Sequence, residues 1–153
     1  MKVLKTIAVC VLLSVCYYEG SAQTIPINEP DYNKPKLFND LPNKMNLRVA
    51  DVDASLNQTV GSNVTVQIAN GLVIHGTVVS KSNEADANVK SVVIKSSNRQ
   101  GAACTLTKVF NSDGTVTYRG RIISMRHGDA FEVVLENGIY VLNKTTLYDL
   151  YNE

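Results

Sequence analysis

Two histidines, His75 and His127, one cysteine in the body of the chain, Cys104, and an acid close to the second histidine, Asp129, have the widest chemical repertoire in this sequence. Brought together they would make a metal site or a Cys-His nucleophile pair. Hairpin register speaks against the meeting. A two-residue turn at Asn70-Gly71 sets Val66 opposite His75 on an inner face, where a histidine is a hydrogen-bonded core residue. His127-Gly128 reads as a turn tip in water. Cys104 falls beside Leu106 and Ile122, without the neighbouring cation that a reactive thiolate needs. No metal and no cofactor are expected, and an exported hydrolase-like enzyme using His75, Cys104 or His127 is the secondary reading.

Side-chain donors gather elsewhere. Arg119 and Arg121 stand two apart on one face of a strand pattern, with Thr105, Thr107 and Thr117 around them. An arginine pair with hydroxyls beside it can hold a carboxylate, sulfate or phosphate in bidentate fashion. Arg119, Arg121 and Thr107 are therefore the candidate binding residues. The competing reading gives Arg119 to Glu136 directly opposite and Arg121 to Glu132, exposed ion pairs worth about 0–1 kcal/mol each.

These residues need strands to hold them. From Ser62 onward apolar residues recur with period two, and turn signals interrupt them at Asn70-Gly71, Asn83 to Asn88, Asn98 to Gly101, Ser112-Asp113-Gly114, His127-Gly128 and Asn137-Gly138. Six turns imply seven strands, paired antiparallel as a meander because no crossover helix separates them. Turn chemistry sets the register. Ile68 falls opposite Val73 and Val64 opposite Thr77. A three-residue loop at Arg99 to Gly101 pairs Ile94 with Leu106 and Ser96 with Cys104. The loop at Ser112 to Gly114 pairs Phe110 with Val116 and Cys104 with Ile122. A two-residue turn at His127-Gly128 brings Ile122 to Val133 and Gly120 to Leu135, and Asn137-Gly138 places Val133 beside Leu142. All five hairpins put apolar residues on one common face; Leu72, Ile74 and Val78 form a second patch on the other.

The expected fold is mainly β: a seven-stranded antiparallel meander curled into a small barrel or a two-layer sheet. Met45, Val49, Val52 and Leu56 recur at helical spacing and predict a short N-terminal amphipathic helix that covers the second patch. Thr145 to Asn152 predicts a short C-terminal helix. The run Val64, Val66, Ile68, Asn70-Gly71, Gly76 and Val78, preceded by that helix, is similar to the first motif of Sm-like proteins, which implies a helix-capped bent barrel. Their second motif is interrupted here by His127, and the charge balance contradicts the RNA binding that the resemblance implies.

The first 22 residues read as a signal peptide: Lys2 and Lys5, an apolar run from Thr6 to Val15, and small residues before Gln23. The run is too short to span a bilayer, and nothing later is long and apolar enough to do so. A lipoprotein reading would use Cys16, with Val15 standing where a small residue is expected. The Ser-Ala-Gln ending resembles that of exported proteins of the Bacteroidetes group of bacteria. Residues 23–43 hold all four prolines and read as extended, with little to bury; 44–153 read as one domain. The 153-residue chain has 15 Lys+Arg against 14 Asp+Glu. Loss of Lys2, Lys5 and Glu19 leaves no net charge, which argues against nucleic acid as a partner. The expectation is a secreted or periplasmic binding module whose partner is a protein or an envelope component, acting through the sheet face around Arg119.

Overall fold

The structure is a computed structural model that describes residues 31–151 apart from Tyr32 and Glu84. The expected signal peptide and residues 23–30 lie outside the described residues. Eight strands form one antiparallel sheet curled into a half-barrel: β1 (Lys44–Asn46), β2 (Asn63–Ala69), β3 (Leu72–Lys81), β4 (Val89–Ser96), β5 (Ala102–Phe110), β6 (Val116–Ser124), β7 (Asp129–Glu136) and β8 (Ile139–Thr146). A helix, α1 (Val49–Leu56), follows β1, and a single 3-10 turn (Asp149–Tyr151) follows β8. Strands β2 to β8 are neighbours in chain order, as a meander requires, and β1 lies against β8.

The eighth strand is a correction to the expected seven. Met45 was expected inside the helix, but it pairs with Leu142 while Lys44 pairs with Asn143. Between Lys44 and Leu47 burial alternates, with Met45 and Leu47 inside, so the segment satisfies the free edge of β8 before the helix begins. At the junction Leu47 N–H donates to Tyr140 O and Arg48 N–H donates to Ile68 O, which ties β8 to β2 through one short stretch of backbone. Val52 and Leu56 are then buried from the helix. The expected C-terminal helix is only the 3-10 turn, because β8 continues through Thr146, whose hydroxyl accepts from Asp149 N–H.

Register follows turn chemistry in two hairpins and departs from it in three. Phe110↔Val116 and Cys104↔Ile122 hold as expected, as do Leu135↔Tyr140 and Val133↔Leu142. Asn137 and Gly138 both have positive φ, 49° and 79°, the conformation a two-residue type I′ turn demands. The loops after β4 and β6 are each two residues longer than expected. Ile94 therefore meets Cys104, and Ile122 meets Phe131. A shift of two keeps every side chain on its face.

The third departure is a shift of one. A bulge between Gln67 and Ala69 sets Val66 opposite Ile74 and Thr65 opposite His75. One extra residue reverses the alternation downstream. Leu72, Ile74 and Val78, expected on the outer face, are buried in the single core, and His75, expected inside, is exposed. No second patch is left for the helix to cover, and Val52 and Leu56 join the same core.

The latter half of the proline-containing segment is docked, contrary to the expectation that it has little to bury. Phe38 is fully buried and meets Phe131 edge-on at 5.1 Å. The Asp129 carboxylate accepts from Leu37 N–H at 2.6 Å and Phe38 N–H at 2.8 Å, while Lys144 Nζ donates to the carbonyls of Phe38 and Leu41. Arg99 grips Asp40 with two nitrogens, and that hydrogen bonding holds the Asp40 carboxyl below its ordinary pKa.

Candidate functional site

The outer face of β5, β6 and the first half of β7 carries a groove of about 660 Å³. Thr105 and Thr107 come from β5, Arg119 and Arg121 from β6, and Glu132 and Val134 from β7. The ladder sets Thr107 opposite Arg119 and Thr105 opposite Arg121, so the expected grouping of donors is present on one face. All three candidate binding residues line this groove.

The two arginines differ in their partners. Arg121 donates from Nε and Nη2 to Glu132 Oε1 at 3.1 and 3.0 Å. Arg119 makes no ion pair and no side-chain hydrogen bond among the described residues. Glu136, expected opposite Arg119, instead binds Lys44 Nζ at 2.6 Å. The longer loop after β6 explains this: it slides β7 by two residues, which would put Val134 across from Arg119. A guanidinium beside hydroxyls has the chemistry to hydrogen-bond a carboxylate or other oxyanion.

The remaining candidates do not converge. His75 Nδ1 lies 2.9 Å from Thr65 Oγ1 on β2, whereas the hydrogen-bond partner of His127 is Ser124 on β6. Among the described residues no group of three His, Cys, Asp or Glu side chains is placed to hold a metal ion. His127 Nδ1 is 2.8 Å from Ser124 Oγ, and with Asp129 nearby in sequence this suggests a nucleophile with its base. Two facts oppose that role. Ser124 is buried, and the Asp129 carboxylate is already committed to the backbone of residues 37 and 38.

Cys104 is fully buried, and burial pushes its thiol up to about 12. Thiol reagents at neutral pH should therefore label native protein only as fast as it unfolds; rapid labelling would refute the placement. The raised value also has a sign. The protonated thiol costs the fold nothing below pH 9, but above it the unfolded chain ionises while the folded chain does not, so stability falls by about 1.4 kcal/mol per pH unit toward pH 12. Cys104→Ala should remove that component of the alkaline slope.

A cluster that sequence reasoning did not assemble joins the helix to the sheet. Asp53 of α1 accepts from Lys108 Nζ at 2.9 Å, and Tyr118 OH lies 3.0 Å from both its oxygens. Lys108 Nζ also sits 5.4 Å from the Phe110 ring and 5.3 Å from the Tyr118 ring. Hydrogen bonds to Asp53 first and Tyr118 second raise the Lys108 pKa. These groups satisfy one another, so the cluster works as a bolt between α1 and strands β5 and β6. No local pattern announces it, since Asp53 and Tyr118 are far apart in the chain.

No protein-family model matches the chain, and no curated protein or solved structure matches it.

Proposed function

We propose that this chain is a small exported binding module that holds an acidic partner, protein or envelope material, in the groove of β5, β6 and β7. The observation that supports the reading is Arg119: a guanidinium that makes no ion pair among the described residues, set on a sheet beside the Thr105 and Thr107 hydroxyls. Arg121 is already engaged by Glu132 and serves to orient the site. Exposed cations are normally solvated or loosely paired, and contribute little to folding. Removal of Arg119 should therefore affect binding and leave stability alone.

The test is a titration of the isotope-labelled full chain with polyglutamate, followed by amide and arginine side-chain NMR shifts. Shifts should cluster at Thr105, Thr107, Arg119 and Arg121. Arg119→Ala should weaken association more than tenfold, about 1.4 kcal/mol, while the stability change stays within roughly 0.5 kcal/mol. Absence of shifts in the groove, or equal affinity in the variant, would sink the reading.

The second reading is an exported hydrolase. One observation favours it, the 2.8 Å contact between Ser124 Oγ and His127 Nδ1. The burial of Ser124 weighs against it, because a substrate carbonyl has no approach to the hydroxyl.

A further inference from the structure

Four polar groups in the groove of β5, β6 and β7 make no hydrogen bond among the described residues. They are the Arg119 guanidinium, the Thr105 and Thr107 hydroxyls, and the second carboxylate oxygen of Glu132, Oε2, since Arg121 donates both its hydrogen bonds to Oε1. None of the four is sealed in. Every buried side-chain nitrogen or oxygen among the described residues has a hydrogen-bond partner, so a group without one is reached by solvent.

The ladders set these groups side by side. Thr107 stands across from Arg119, while Thr105, Arg121 and Glu132 form the next row on the same face. Val134 follows Glu132 on that face of β7, half-buried, on the side toward Arg119. The groove therefore offers donors at Arg119 and Thr107, an acceptor at Glu132 and an aliphatic surface at Val134. Its charged residues are two arginines and one glutamate, which leaves a single positive charge uncompensated. A second carboxylate on the ligand would meet Glu132 Oε2 and be repelled, whereas an N–H would be accepted there.

The matching ligand carries one carboxylate, one N–H donor and one aliphatic group close together. All three sit on a single carbon in the last residue of a peptide chain. In an aspartate or glutamate side chain the carboxylate is held away from the N–H, and no aliphatic branch remains. Resting on the binding reading above, we propose that the groove captures the free carboxyl terminus of a partner polypeptide that ends in an aliphatic residue. The terminal carboxylate meets Arg119 and the Thr107 hydroxyl, the last amide N–H donates to Glu132 Oε2, and the last side chain lies against Val134. Arg121 then has a defined task, since by holding Oε1 it presents Oε2 to the ligand. Capture of a terminal carboxylate is an established mode of peptide recognition, and an arginine is well suited to it.

The experiment titrates the isotope-labelled full chain with short peptides and follows the groove by NMR. Acetyl-glycyl-alanyl-leucine with a free carboxylate should shift Thr107, Arg119, Glu132 and Val134, and should bind at least about tenfold more tightly than its carboxamide. Methylation of its last amide nitrogen should cost about fivefold, because Glu132 loses its donor. Glu132→Ala should weaken the peptide by a similar factor yet strengthen polyglutamate, since the groove then carries one more net positive charge. Circular dichroism establishes that this variant is folded; if it is not, the N-methyl peptide decides the same contact. An N-methyl peptide of unchanged affinity overturns the proposal. So does acetyl-glycyl-glutamyl-glycinamide if it binds as tightly as the free-carboxylate peptide, and the acidic-groove reading then stands. Equal binding of acid and carboxamide, or binding of neither, with polyglutamate retained has the same meaning. Free leucine that binds as tightly as the peptide overturns a polypeptide source in favour of an amino acid, whose ammonium would meet Glu132. Failure of the peptides and of polyglutamate alike overturns both readings.

Discussion

Phe38→Ala should lower the stability of the whole domain by about 3–5 kcal/mol, the cost of emptying a fully enclosed phenylalanine site. For a domain of this size that is a fall in melting temperature on the order of 10–20 °C. Phe38 is 0% exposed and lies against Phe131, which is itself fully buried, while Asp129 pins the backbone on its amino-terminal side and Lys144 holds the carbonyls of Phe38 and Leu41. The anchoring groups sit on β7 and β8, so the segment cannot collapse into the cavity without breaking charge-assisted hydrogen bonds. Thermal denaturation followed by circular dichroism measures the effect. A loss under 1 kcal/mol, or early protease cleavage between Lys34 and Leu41 in the native protein, would show that the segment is not docked in solution.

Gly76→Ala should be at least as damaging, with an expected loss above about 3 kcal/mol or no soluble folded protein. A Cβ on Gly76 would stand 2.9 Å from Ile94 Cγ2 and closer still to the Lys95 carbonyl oxygen. That oxygen belongs to the neighbouring strand, β4, and cannot turn aside as a flexible side-chain end would. Gly76 also pairs with both Val64 and Ser96, so the whole β2-β3-β4 region would have to part to admit a methyl group. The control is Gly114→Ala. Gly114 has a φ of +81° and nothing within 4 Å of its added Cβ, so the cost there is backbone conformation alone, about 1–2 kcal/mol. Equilibrium urea unfolding of the two variants should rank them in that order. A Gly76→Ala protein as stable as Gly114→Ala would mean that β3 and β4 do not approach so closely.

The sequence by itself determined the class of the fold, the turn positions and the donor face. Period-two apolar spacing and Asn-Gly, Asp-Gly and Gly signals are local, and local signals survive into the structure because each hairpin is closed by its own turn. The shared face of Thr105, Thr107, Arg119 and Arg121 was legible for the same reason: the turn at Ser112 to Gly114 sets that register, and even a slip of two elsewhere leaves sidedness unchanged. The burial of Cys104 was legible too, since its neighbours on both sides are apolar in any register of that parity.

Tertiary structure decided the rest. The bulge after Gln67 turned His75 outward and buried Ile74, because a bulge answers to packing across strands and leaves no residue type as its mark. Lys44–Asn46 became a strand because the free edge of β8 offered main-chain partners that a helix turn would have left unpaired. The partners of the charged groups were hidden for the same reason. Glu136 went to Lys44, Asp53 to Lys108 and Asp40 to Arg99, each across tens of residues of chain. Which of the two arginines makes no ion pair among the described residues depends on a two-residue slide of β7, and where the ladder between β6 and β7 ends depends on where the Tyr140 hydroxyl reaches. Both are set by loop length and by the space under the sheet, quantities that exist only once distant segments have come together.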